Sequence, residues 1–352
     1  MKKLILVVFV FLISTSYPQA GWFLQNPFPT ANNIESIYFT DDETGWMVGE
    51  AALILYTKDG GDTWQNQFVN SNEDLHSVFF INKDSGWAAG RNGSIIKTTN
   101  GGIKWEVLSA GTNSDLESVF FVDELTGWIA GDNGTIIMTS DGGLNWASQS
   151  TGTNEYLFSV YFLNQNTGCA VGFGGTILKT SNKGTDWIKQ ETDFIYTLHS
   201  VYFIDENRGF AVGMFGTILS TNNGGESWVT DTKYSGDTYS SIHFLNENTG
   251  WITGDRGLLL KTTDSGAEWD TISSGIKNNL NSFFFFDENT GWLVGNEGTV
   301  FKTSDGGENW SSQSTGITTW FNSVYFTDPY NGWIAGNNDL IINSTDGGIT
   351  WS

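Results

Sequence analysis

A tryptophan returns every 41 residues along this chain, at Trp64, Trp105, Trp146, Trp187, Trp228, Trp269, Trp310 and Trp351, without a slip over eight copies. A period of this length, kept this strictly, marks a repeat architecture in which each unit buries its apolar face against its neighbours. The third copy shows what the unit is. Leu116 to Phe121 has strand character, an acidic turn follows at Asp123 to Thr126, and Gly127 to Gly131 gives a second strand. Asp132-Asn133-Gly134 is a tight turn, and Thr135 to Met138 is a third strand rich in β-branched residues. A fourth strand begins at Trp146. Beyond the N-terminal segment no window has the period of a helix of ordinary length. Four strands in roughly 40–50 residues make one propeller blade, so the expected fold is all-β, a propeller of eight four-stranded blades.

The stretch before each tryptophan is a turn with its own chemistry. In the third copy it reads Thr139-Ser140-Asp141-Gly142-Gly143-Leu144-Asn145-Trp146. Asp141 offers acceptors to backbone amides a few residues on, and Gly143 takes a positive φ at little steric cost. The aspartate column is Asp59, Asn100, Asp141, Asn182, Asn223, Asp264, Asp305 and Asp346. Three asparagines keep the acceptor and lose the charge, a swap a turn tolerates and a catalytic acid does not. The pattern S/T-x-D-x-G-x-x-W, preceded by TGW-x-x-G as in Thr126 to Gly131, resembles the Asp-box, or BNR, repeat of sialidases and related propellers. The unit is most similar to the propeller family of photosystem II stability and assembly factors. That resemblance covers residues 22 to 352 and implies a fold more than a function, because one fold hosts many roles. It also implies seven blades, so a seven-bladed ring with a spare repeat stands beside the eight-bladed reading.

Three further columns hold in every copy. Phenylalanine stands at 39, 80, 121, 162, 203, 244, 285 and 326, serine at 36 and each 41st position after it, and glycine at 49 and likewise. The phenylalanines are expected between neighbouring blades, and the serines on the innermost strand, satisfying polar groups there. Eight serines argue for architecture, since a nucleophile would be singular and would need a base. The last repeat stops just after its Asp-box, and Gly21 to Asn26 resembles a fourth strand. The N-terminal strand is therefore expected to close the last blade and remove an open edge.

Residues 1–20 carry Lys2 and Lys3 followed by the apolar run Leu4 to Ile13, the organisation of a secretory signal peptide. The remaining 21–352 then form a single propeller domain, exported to the periplasm, cell surface or medium. No later segment is apolar for long enough to span a bilayer. A formal charge of −23 excludes nucleic acid and anionic membrane as partners. Cys169 is the only cysteine, so no internal disulfide forms; it fills a slot that six other repeats give to tryptophan and reads as a small buried residue.

Catalysis finds no constellation here. Sialidase-like propellers are implied to use three converging arginines, a tyrosine and an acid around the central channel. This chain has Arg91 and Arg256 in second-to-third turns of opposite blades and Arg208 in a first-to-second turn, on the other face. No carboxyl pair stands out at the spacing glycoside hydrolysis needs. His76 and His199 share a column but lie three blades apart, so no metal site is expected, nor any cofactor. What breaks the symmetry is apolar. The fourth and fifth repeats place Phe173, Met214 and Phe215 in turns where the others mostly carry Asn, Asp, Arg or Glu, and the links before them add Tyr156, Phe194 and Tyr196. The leading expectation is a non-enzymatic, monomeric scaffold that binds a protein or glycan on that face. The alternatives are a glycan-active hydrolase of the Asp-box type and, as the resemblance implies, an assembly factor for a membrane complex.

Overall fold

The computed structural model describes residues 34–41, 44–58, 65–231, 236–285, 289–312, 320–337 and 340–351. They form seven four-stranded antiparallel sheets and one three-stranded sheet, each with its strands in chain order. The third blade is representative: Leu116–Phe121, Gly127–Gly131, Ile136–Thr139 and Ala147–Ser148. Its third strand starts one residue later than the sequence suggests because the turn before it takes Thr135 N–H back to Asp132. The eighth blade comprises Phe321–Phe326, Gly332–Gly336 and Ile341–Ser344. The segment expected to add its fourth strand, residues 21–26, lies outside the described residues, as do Asp59 and Trp64.

The ring closes with eight blades, one more than the resemblance implies. Each innermost strand lies beside that of the next blade, and the last, Phe321–Phe326, lies beside the first, Ile34–Phe39. The closing joint repeats the bonds of the others. Tyr161 and Tyr202 hydroxyls donate to the carbonyls of Phe203 and Phe244 in the following blade, at 3.4 and 3.3 Å, and Tyr325 donates to Phe39 at 3.4 Å.

The joints are aromatic. The second strand is wholly buried because its sheet is sandwiched between two others, and it reads as a continuous apolar run. Its tryptophan slides under the phenylalanine of the next blade: Trp87 stacks on Phe121 at 3.7 Å and Trp128 on Phe162 at 3.5 Å. The tryptophan that sets the period then meets the same ring edge-on, as Trp146 meets Phe121 at 86°. Burying such rings contributes about 1.5–3 kcal/mol each, and the paired geometry about 0.5–1.5 more. Indole N–H groups cross the joint too, Trp87 Nε1 donating to Gly142 O at 2.9 Å and Trp292 Nε1 to Gly347 O at 3.1 Å. The serine column also bonds across blades. Ser36 and Ser77 Oγ accept from Val78 and Val119 N at 3.3 Å, which satisfies amides on strands that form the inner edge of their sheets.

Two adjacent joints depart from this pattern. Cys169 is buried where an indole would lie, with its thiol pushed up to about 12 by burial. Phe210 takes the next slot and stacks on Phe244 at 5.3 Å, without an N–H to donate.

Candidate functional site

Four antiparallel strands in series sort the connections onto two faces. First-to-second turns and the Asp/Asn turns share one face, where Gly142 N donates to Leu125 O at 2.8 Å. Second-to-third turns share the other with the links between blades, where Asp132 N donates to Asp115 O at 2.8 Å.

The first face is uniform. Asp141 Oδ1 accepts from Thr139 Oγ1 and from Asn145 N, at 2.8 and 2.9 Å, while Thr139 Oγ1 accepts from Gly143 N at 2.7 Å. Asn100 accepts from Lys104 N at 3.0 Å, Asn182 from Asp186 N at 2.9 Å and Asn223 from Ser227 N at 3.1 Å. Asp264, Asp305 and Asp346 accept from Glu268, Asn309 and Thr350 N at 2.9–3.0 Å. The hydrogen bonds from Asn145, side chain and backbone, hold the Asp141 carboxyl down at about 2.

The link face varies, and most of its exposed apolar groups gather in one sector, with Trp320, before the eighth blade, standing apart. Phe173 and Phe215 are each 55 % exposed, Ile195 is 69 % and Tyr196 45 %. Phe194, half-buried, meets Tyr196 edge-on at 5.5 Å, and Tyr196 meets Phe215 at 4.5 Å. The fourth-blade turn sits beside them, since the carbonyl of Phe194 closes on Gly175 and leaves no room for a Cβ there. Phe173 N is in turn fixed to Tyr156 O at 2.8 Å. Met214 is only partly exposed, its amide bound to Thr197 O at 2.9 Å. Phe215 holds φ at +57°, a left-handed conformation unusual for so bulky a residue. The turn geometry demands it: Asn92, Asn133 and Arg256 take the same φ at the same place. Thus Phe194, Tyr196 and Phe215 form a contact chain, with Phe173 placed next to it through the backbone.

Tyr156 belongs to a second group that turns inward, to the channel. Its ring stacks on Phe158 at 4.7 Å, and Phe158 meets His199 at 5.4 Å. Its hydroxyl donates to Glu117 Oε1, and His76 Nδ1 lies 3.1 Å from the same oxygen, at ion-pair distance though off the line of a good hydrogen bond. Burial pushes Glu117 up, but these two partners more than offset it and its carboxyl ends below the usual range. Glu117 raises His76 in return, and burial together with Glu117 raises the Tyr156 phenol. Glu35 is open to water yet stands inside the channel with protein on most sides; that desolvation, with nearby carboxylates, raises it.

These inward residues share one backbone device. Pairing of the first and second strands slips at Leu75/Ser77, Leu157/Ser159, Leu198/Ser200 and the matching place in every other blade. The extra residues are Glu35, His76, Glu117, Phe158, His199, Ser240, Asn281 and Asn322. A β-bulge re-aims its side chain, and here it presents one residue per blade to the channel mouth. Gly90 opposes one such bulge, and a Cβ there would meet Asp74 O at 1.9 Å.

The three arginines stay apart and are each engaged: Arg91 with Asp74 at 2.8 Å, Arg208 with Asp205 at 2.7 Å, and Arg256 with Asp237. Among the described residues no group of His, Cys, Asp and Glu is arranged to hold a metal ion, and no helix is long and apolar enough to cross a membrane. Two exposed link-face residues escaped the sequence reading: Ile195, the lone large apolar residue of its column, and Trp320, which shares its column with Tyr156.

A closed ring of eight like blades, with one bonding pattern repeated on one face and varied turns on the other, places the chain among the repeat-built β-propellers. The model of the family described as "Photosynthesis system II assembly factor YCF48" matches residues 18–114, 103–193, 180–280 and 268–352. The chain belongs to that family. Among solved structures it is similar to YCF48 bound to D1 peptide, with a TM-score of 0.63, 23 % identity, and 78 % of this chain and 94 % of that one covered. YCF48 from Cyanidioschyzon merolae gives a TM-score of 0.62 at 20 % identity, covering 80 % and 98 %. The computationally designed Ika8 protein gives 0.76 at 12 %, covering 90 % and 97 %. These identities speak for the fold alone. No functionally curated protein matches the chain.

Proposed function

We propose that this protein is a non-enzymatic recognition propeller, acting after export, that holds a segment of a client protein on its link face. The observation that carries the reading is the exposed chain of Tyr196 and Phe215, with Phe173 and Ile195 beside it, on a face whose other turns are mostly polar. Exposed apolar groups gathered in one place mark contact surfaces, and interface energy concentrates in a few aromatic anchors. Family membership and the D1 peptide in a related structure support a protein client over a glycan, and a role in assembling a membrane complex. The test is the double variant Phe173→Ala with Phe215→Ala. Captured client should fall at least about tenfold, equal to about 1.4 kcal/mol, with the melting temperature unchanged. Normal capture by the double variant sinks the reading.

A further inference from the structure

The aromatic sector also has an electrostatic character. Glu155 lies in the link before the fourth blade, and its carboxyl carbon is 4.0 Å from where a Cβ on Gly174 would stand, so it borders the turn that carries Phe173. Asp193 is exposed and immediately precedes Phe194. Neither has an ion-pair partner among the described residues, whereas Arg91, Arg208 and Arg256 all have one. Between Asp132 and Phe215, the link-face segments 132–134, 152–156, 173–176, 191–197 and 214–216 contain no lysine or arginine. Among the described residues the next cation along the face, Arg256, stands one blade on and is held by Asp237, while Lys233, in the link between, lies outside the described residues. Among the described residues the surface thus offers exposed rings bordered by carboxylates that no cation pairs with.

We infer that the sector is a receptor for a basic, apolar-aromatic peptide segment, whose hydrophobic side chains cover Phe173, Tyr196 and Phe215 while its lysines or arginines reach Glu155 and Asp193. The inference rests on the link-face reading and adds the client's chemistry to it. Aromatic faces beside a carboxylate suit a cation twice over, through the ring quadrupole and through direct pairing. An acidic client would bring like charges together on a molecule of charge −23 and be repelled before contact. The charge excess also speeds the encounter with a basic segment at low salt.

Two synthetic peptides of equal length test this, sharing a leucine and phenylalanine core and differing only in flanking lysines or glutamates. Fluorescence anisotropy with the purified chain should show the lysine peptide bound at least about tenfold more tightly, the gap closing as salt is raised. Glu155→Gln with Asp193→Asn should weaken the lysine peptide by about three- to tenfold, as exposed ion pairs allow. Glu206→Gln with Glu308→Gln, an equal change of charge on the opposite face, should leave it unchanged. Equal affinity for the two peptides overturns the inference. So does equal loss from the two charge variants, which would mean that net charge alone attracts the peptide. In either case, weakening by Phe173→Ala with Phe215→Ala leaves the link-face reading standing. If that aromatic variant binds normally, the reading itself has failed; if neither peptide binds, both ideas have.

Discussion

The two faces of the ring are built from the same chain by opposite rules. On the Asp/Asn-turn face, seven described copies make one set of bonds, and the residues that vary keep the same acceptor oxygen. On the link face the backbone repeats as faithfully, while the side chains at the turn tips run from Asn92 to Phe215. Where bonds fix the side chain, the sequence cannot drift; where only φ is fixed, it can. Invariance here therefore reports the frame, and variation reports what the frame is used for.

Four changes break or sharpen this contrast. The largest effect is expected for Trp87→Ala, which removes the stack on Phe121 and the bond to Gly142 O together. It should cost about 3–5 kcal/mol in thermal or denaturant unfolding. Trp87→Phe copies the joint at Phe210, keeps most of the packing and orphans one carbonyl, for about 1–3 kcal/mol. If the two variants cost the same, the indole bond rather than the stack holds the joint.

Next comes Asp141→Ala, which leaves Asn145 N and Thr139 Oγ1 without their acceptor, at about 1–3 kcal/mol, with client binding intact. Asp141→Asn should be nearly silent, since Asn100, Asn182 and Asn223 make the same bond. Loss of binding at full stability would move function to the wrong face and undo the contrast. A smaller effect, of opposite sign, belongs to the link face. Phe215→Gly relieves a left-handed phenylalanine and should raise stability by up to about 1 kcal/mol while weakening binding. A loss of stability would mean that the Tyr196 contact outweighs the backbone strain.

The smallest effect is in acid. The Asp141 carboxyl falls from an ordinary 3.8 to about 2 in the folded protein, so its contribution is whole above about pH 4 and fades as pH falls toward 2. Asp264, Asp305 and Asp346 are lowered in the same direction. Asp141→Asn should therefore unfold at a slightly lower pH than the parent in an acid titration. An identical or steeper acid profile in the variant would contradict the bonding described for this turn.

Much of this was legible in the sequence, for reasons that differ by residue. The period, the strands and the blade count follow from columns that one geometry repeats, and the phenylalanine at 121 announces the joint because nothing else fills such a gap. The bulge was legible but went unread: Leu75, Val78 and Phe80 are the buried residues of one strand, spaced by three and then two, where a regular strand spaces by two throughout. The bond from Trp87 to Gly142 could not be read, because it joins atoms 55 positions apart through a stacking angle that no local pattern encodes. The aromatic sector was half visible. Phe173 and Phe215 stand out in their columns, whereas the turning of Tyr156 into the channel depends on Glu117, one blade away.

The bulge has a consequence for engineering. Each blade lends the pore one residue that its own sheet does not pair, from Glu35 round to Asn322. Such a residue can be exchanged without disturbing the register on either side of it. The ring thus amounts to a dial of eight letters facing a common axis, some of them in contact, as His76 is with Glu117 and Phe158 with His199, and a combinatorial library at those letters would sample pore chemistries on one fold.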